Sequence, residues 1–215
     1  NYSDLMGATP SMRGRGRRLA LWGRNVAGWL WQFGLAMRSG GRLRMDGLPT
    51  QVDVLFVSHL VNASQAGQAD DFYFSALPSE LAGDGLSAVI ALINSTGKPG
   101  ARAGTNWAAG AVPRVILAES LSLWGEWSLY KRLRKESRRL AERAGRQSSV
   151  VRRRVCSRAS QEALSSGARR TLRMEGQIAA LVARLKPRAL VVTHEGHAWE
   201  RIAFAAARRA HPGIL

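Results

Sequence analysis

The ten residues VDVLFVSHLV, positions 52–61, constrain this chain more than any other stretch. Apart from Asp53, Ser58 and His59 they are apolar at odd and even positions alike. A strand with one wet face alternates apolar and polar residues. A continuous apolar run marks a strand buried on both faces, as in a parallel sheet covered by helices. Three further runs follow the same pattern: SAVIALI (87–93), RVILA (114–118) and RALVVT (188–193). The segments between them have helical periodicity. Strands alternating with helices predict an α/β fold, a Rossmann-like three-layer sandwich with a mostly parallel sheet. Right-handed crossovers would place helices on both faces.

The predicted helices are five. Arg17 to Arg38 is amphipathic, with Trp22, Val26, Trp29, Leu30 and Phe33 at helical spacing. Phe72 to Gly83 reads as a helix broken near Pro78. Leu121 to about Ala144 grows increasingly basic along its length. A helix from about Ser160 to Leu185 carries Leu164, Leu172, Ile178, Leu181 and Leu185, and Pro187 stops it. His197 to His211 ends at Pro212-Gly213. Residues 1–16 read as a loose polar tail, 39–51 as a linker, 62–71 as a polar loop and 94–113 as a Gly/Pro/Asn-rich loop. The expected organisation is therefore 1–51, a basic tail, amphipathic helix and linker, then 52–215, a Rossmann-like domain with a basic helical pair at about 121–186.

Charge narrows the partners. The chain has 32 Lys/Arg and 15 Asp/Glu, a net +17, nearly all of it from arginine. Residues 131–186 hold 17 Lys/Arg against four Glu, and residues 13–44 hold eight Arg and no acid. Such blocks suit anionic lipid, phosphorylated ligands or nucleic acid, and a solvated basic helix face is the plainer alternative. The one cysteine, Cys156, cannot form an internal disulfide, which favours a reducing cytoplasm. No run reaches the ~18 apolar residues of a membrane span. The stretch 19–37 comes nearest, interrupted by Arg24, Asn25 and Gln32. It lacks a small-residue cleavage site, which disfavours a signal peptide. The start at Asn1 and the stop at PGIL, where a new strand is due, read as a fragment of a longer protein.

The chemistry-bearing motif is THEGHAWER, Thr193 to Arg201. Its HEGH superficially resembles the zinc-protease HExxH but places His194 and His197 three apart, where HExxH needs four. His59, His211 and Cys156 are isolated in sequence, so no metal is expected. The chain has no G-x-S-x-G elbow, Walker A or G-x-G-x-x-G. The basic segments have few interleaved aromatics, so no single-strand stacking platform is indicated.

Position supplies the remaining argument. Ligands of open α/β sheets bind outside the carboxyl ends of the strands. Ser58-His59, Asn94-Ser95-Thr96, Glu119-Ser120 and Thr193-His194-Glu195 arrive there. Convergence of Glu195, Glu119 and His59 on one rim would make a general acid/base site. Plainer roles stand beside this. Glu195 also suits a helix N-terminus. Trp199 has core spacing with Ile202, Ala203 and Ala206. His197 and Arg201 share one helix face that can simply be solvated, and Glu200 reads as a surface residue.

The segment THEGHAWERIAFAAARRAHPGI resembles the EGHAWER segment of the bacterial surface carbohydrate biosynthesis proteins, a glycosyltransferase-like family. VDVLFVSHLVN followed by DDFYFSALPSELAGDGL is similar to that family's opening strand, loop and first helix. The resemblance covers about residues 52–95 and 114–215. It implies a GT-B arrangement of two Rossmann-type halves, of which this chain would be the N-terminal, acceptor-binding half, with the C-terminal nucleotide-binding half missing. It also implies sugar transfer from a nucleotide-sugar donor to a glycan or lipid-linked acceptor, in making capsule or O-antigen. No cofactor or metal is implied. Glu195 would be the general base, with His197 and Arg201, and also His194, Glu119 and His59, binding substrate. His194 departs from the aromatic expected before the motif. From the residues themselves, the arginines flanking helix 17–38 suit an anionic membrane surface, with packing of that face on the domain as the plainer alternative, so the expected location is cytoplasmic, peripheral on the inner face of the membrane, with no nucleic acid as partner. The competing expectations are a non-catalytic module that binds a glycan or a partner, and a nucleic-acid binder using residues 131–186.

Overall fold

The structure is a computed structural model that describes residues 12–39, 43, 45–96, 107 and 111–215. The order of elements is α1 (Met12–Ser39), β1 (Val54–Leu60), a 3-10 turn (Ala63–Gly67), α2 (Leu77–Gly83), β2 (Ala88–Asn94), β3 (Arg114–Ile116), α3 (Leu123–Gly145), α4 (Val150–Glu162), α5 (Ser166–Leu185), β4 (Ala189–Val192) and α6 (Ala198–Ala210). The chain forms two compact units. One comprises the stretches Asn1–Gly41 and Ser120–Arg170, the other Arg42–Glu119 and Thr171–Leu215.

The second unit is the expected α/β sandwich. Its four described strands are ordered β3-β2-β1-β4 and are parallel throughout. In register, Val54 of β1 lies between Ala88 of β2 and Ala189 of β4. Every residue of β1 is buried, as its continuous apolar run requires. Its odd positions, Leu55 and Val57, face a core with α5 (Ile178, Leu181, Leu185) and α6 (Trp199, Ala203, Ala207). Its even positions, Val54, Phe56 and Leu60, face a second core closed by Phe74, Leu81 and Trp107. Gln177 of α5 fastens the end of β3, accepting from Ala118 N (2.6 Å) and donating to Ala118 O (2.8 Å). Lys186, at φ +45°, turns the chain out of α5 in a left-handed cap, and Pro187 prevents continuation.

The first unit holds α1, α3 and α4. Trp29 of α1 is buried and meets Tyr130 of α3 edge-on at 4.9 Å, while Phe33 lies 6.4 Å from Trp127. The Arg169 guanidinium covers Trp29 at 5.0 Å and donates to Asn25 O at 3.1 Å. Gly28 makes this approach possible, because a Cβ there would collide with that guanidinium. Ser122 and Ser149 cap α3 and α4 by accepting from Gly125 N and Arg152 N.

The boundaries differ from expectation in three places, each with a local cause. α1 starts at Met12, five residues before Arg17, and so takes in part of the expected loose tail; residues 1–11 lie outside the described set. Pro78 does not break a helix from Phe72. It sits in the first turn of a short one, where its missing N–H costs nothing. The segment before it is a turn closed by an Asp71–Ser75 bridge. The expected helix from Ser160 is two helices, separated by residues 163–165. The 94–113 loop is described only at 94–96, 107 and 111–113.

Candidate functional site

In the order β3-β2-β1-β4, successive strands step outward from β1 to β3, and the chain then returns to the other side of β1 as β4. The crevice between the carboxyl ends of β1 and β4 is thus the topological switch point, where open α/β sheets bind ligands. His59 leaves β1 at this edge, and Glu195 follows β4 across from it. Their side chains meet, His59 Nε2 lying 3.9 Å from Glu195 Oε2. His197 Nε2 approaches the same oxygen at 3.4 Å. Glu195 pushes the nearby Tyr73 phenol above its ordinary pKa, through hydrogen bonding first and then burial and the carboxylate's charge.

Each group is held by a named contact. Ser95, just beyond β2, lies 3.0 Å from His59 Nδ1. A proton on His59 Nε2 faces the carboxylate and leaves Nδ1 to accept from the Ser95 hydroxyl. Trp199 of α6 supports the imidazole edge-on at 5.6 Å, and Tyr73 lies against it at 5.5 Å. Tyr73 is placed by Asp71, which accepts from the Ser58 hydroxyl (2.7 Å) and from Tyr73 N and Phe74 N (2.9 and 3.0 Å). Arg114 secures the same loop, donating to the carbonyls of Gln65 (3.2 Å), Ala69 and Asp70 (3.1 Å). Burial holds its guanidinium below its ordinary pKa.

The turn carrying Glu195 is built by Glu200. This residue is buried, contrary to the surface position expected from sequence. Its Oε1 accepts from Glu195 N (2.8 Å) and His197 N (3.1 Å), and its Oε2 lies 3.3 Å from His194 Nδ1. Gly196 between them has φ +77°, a left-handed conformation that costs an ordinary L-residue about 1–2 kcal/mol. Burial opposes ionisation of Glu200, but the two backbone N–H donors and His194 outweigh it and hold its carboxyl below the usual value. A carboxyl lowered on folding stabilises fully above its unfolded pKa and loses that contribution as pH falls through the folded one. Thermal midpoints should therefore drop between about pH 4.5 and lower pH. A Glu200→Ala variant should be less stable at neutral pH and lose less on acidification; equal acid sensitivity in the two proteins would exclude this role.

The six candidates from sequence thus separate. His59, Glu195 and His197 come together. His194 is tied to Glu200 rather than to Glu195. Glu119 accepts from Asn94 Nδ2 and so joins the rim through the end of β2. Arg201 is exposed in the first turn of α6, with no hydrogen bond or ion pair to the cluster among the described residues. Among those residues no group of three His, Cys, Asp or Glu is arranged to hold a metal ion. Sequence reasoning missed Tyr73, Asp71 and Glu200. The signal for Glu200 was its position three after the helix-capping residue His197, the spacing of a capping box. No local signal marked Tyr73, whose role depends on a loop brought back by Ser58.

Comparison with protein-family models, curated proteins and solved structures matched none of them.

Proposed function

We propose that this chain is the acceptor-binding half of a GT-B glycosyltransferase of bacterial surface polysaccharide synthesis, with Glu195 as its general base. The observation that carries the reading is the Glu195 carboxylate ringed by His59, His197 and Tyr73 at the switch point between β1 and β4. A carboxylate at the sheet's ligand crevice, with its side chain 31% exposed, can reach an acceptor hydroxyl. In the reaction, the acceptor oxygen attacks the anomeric carbon of a nucleotide-sugar. The bond from that carbon to the diphosphate breaks, the nucleoside diphosphate leaves with the electron pair, and the hydroxyl proton passes to Glu195. His197, exposed beside the same carboxylate, can meet acceptor hydroxyls, whereas the substrate contact expected from sequence at His59 is replaced by a buried supporting position, with Nε2 enclosed and Nδ1 against Ser95. The intact EGHAWER at Glu195–Arg201 supports the same assignment.

The test uses the complete reading frame in which these residues lie, supplied with labelled nucleotide-sugars and lipid-linked or glycan acceptors. Sugar incorporation with release of nucleoside diphosphate is expected. Saturable glycan binding without turnover would replace the reading with a non-catalytic module.

A further inference from the structure

The first unit has a surface that the sugar-transfer chemistry does not use. Its sequence stretches carry 20 Lys/Arg against five Asp/Glu, whereas those of the sheet unit carry 12 against ten. Nearly all the excess charge of the chain therefore belongs to the helical unit. On α3, Trp124 is 74% exposed and Trp127 41%. Lys131, one and two turns further on, places its ammonium over both rings, at 5.9 and 5.4 Å. Trp127 stacks on Tyr130 at 5.5 Å, and the Arg134 guanidinium lies over Tyr130 at 5.8 Å. Phe33 joins this ladder to α1, whose neighbouring Leu30 and Met37 are each 67% exposed. These side chains are large, apolar and uncovered, with exposed cations beside them.

We propose that this face of α1 and α3 docks on an anionic lipid bilayer, lying in the interface rather than crossing it. Indole rings prefer the headgroup boundary, where Lys and Arg beside them meet lipid phosphates. Clustered Lys/Arg draws such a surface to acidic membranes. No described helix is long and apolar enough to span. Nucleic acid would share the attraction to positive charge, but two features favour lipid. Leu30 and Met37 offer nothing for a base to stack on, and insert readily among acyl chains. Lys131 already covers faces of both Trp124 and Trp127 that a base would need. The inference is independent of the transfer reaction, so either can fail without the other.

The experiment is sedimentation of the full chain with vesicles of phosphatidylcholine alone or with about one-third phosphatidylglycerol, read also by tryptophan emission. Binding to the acidic vesicles, a blue shift, and release on raising salt well above physiological are expected. Trp124→Ser should weaken binding roughly tenfold, and Lys131→Glu at least as much, because each removes an interfacial anchor. Trp124 is mostly exposed, so its variant should keep the wild-type circular dichroism and melting midpoint. Equal binding to both vesicle types, unchanged affinity in both variants, or binding to a single-stranded oligonucleotide in preference to acidic vesicles would each overturn the proposal.

Discussion

Glu195→Gln is expected to lower sugar transfer by about 10²–10⁴-fold, the usual contribution of a positioned general base. The substitution keeps the shape of the side chain and an oxygen to accept from Tyr73, while removing the group that takes the acceptor proton. The loss should appear in kcat with KM little changed, since binding of the acceptor does not require the proton to move. Circular dichroism and thermal midpoint should match the parent protein. Transfer at the parental rate would remove Glu195 from the reaction and leave the cluster as a structural contact.

Trp199→Ala is expected to cost about 3–5 kcal/mol of stability, the range for truncating a large buried aromatic. Trp199 is buried in the core that joins α6 to α5 and the sheet, and its ring is the edge-on support of His59. A single change thus opens a cavity under α6 and frees the imidazole beside Glu195. Chemical denaturation should show the loss as a lower midpoint with an unchanged slope. Trp199→Phe separates the two effects. It retains most of the apolar volume and should recover most of the stability. Its smaller ring contacts His59 less, so the rate of transfer should fall while most of the stability is kept. If Trp199→Ala unfolds at the parental denaturant concentration, α6 is not anchored through this side chain.

The sheet was legible because its strands needed no tertiary information. Apart from Ser58 and His59, Val54 to Leu60 is apolar on both parities, and only a doubly covered strand explains that. The strands' ends supplied His59 and Glu195 by the same logic, since a parallel α/β sheet presents its carboxyl edges to ligand. The partition of the helices was less readable. Trp29 and Phe33 read as one amphipathic stripe, Trp127 and Tyr130 fall in a helix marked in sequence only by its growing positive charge, and their contacts join positions about a hundred residues apart. Glu200 was misjudged for a related reason. Beside arginine it resembles half of a surface ion pair, and only the left-handed turn at Gly196 brings two backbone N–H groups back onto it. Tyr73 depended on three successive contacts, Ser58 to Asp71 to Tyr73, none of them periodic.

The clamp by Glu200 also divides labour within one residue. At position 195 the backbone is anchored by a different carboxylate from the one its own side chain presents to the crevice. With Glu195 as the proposed base, chemistry and architecture are separable there: a substitution at 195 leaves the loop's path in place, whereas one at 200 alters path and reactivity together. A protein with the turn intact and the acid at 195 gone would thus be a folded, silent copy of the same scaffold.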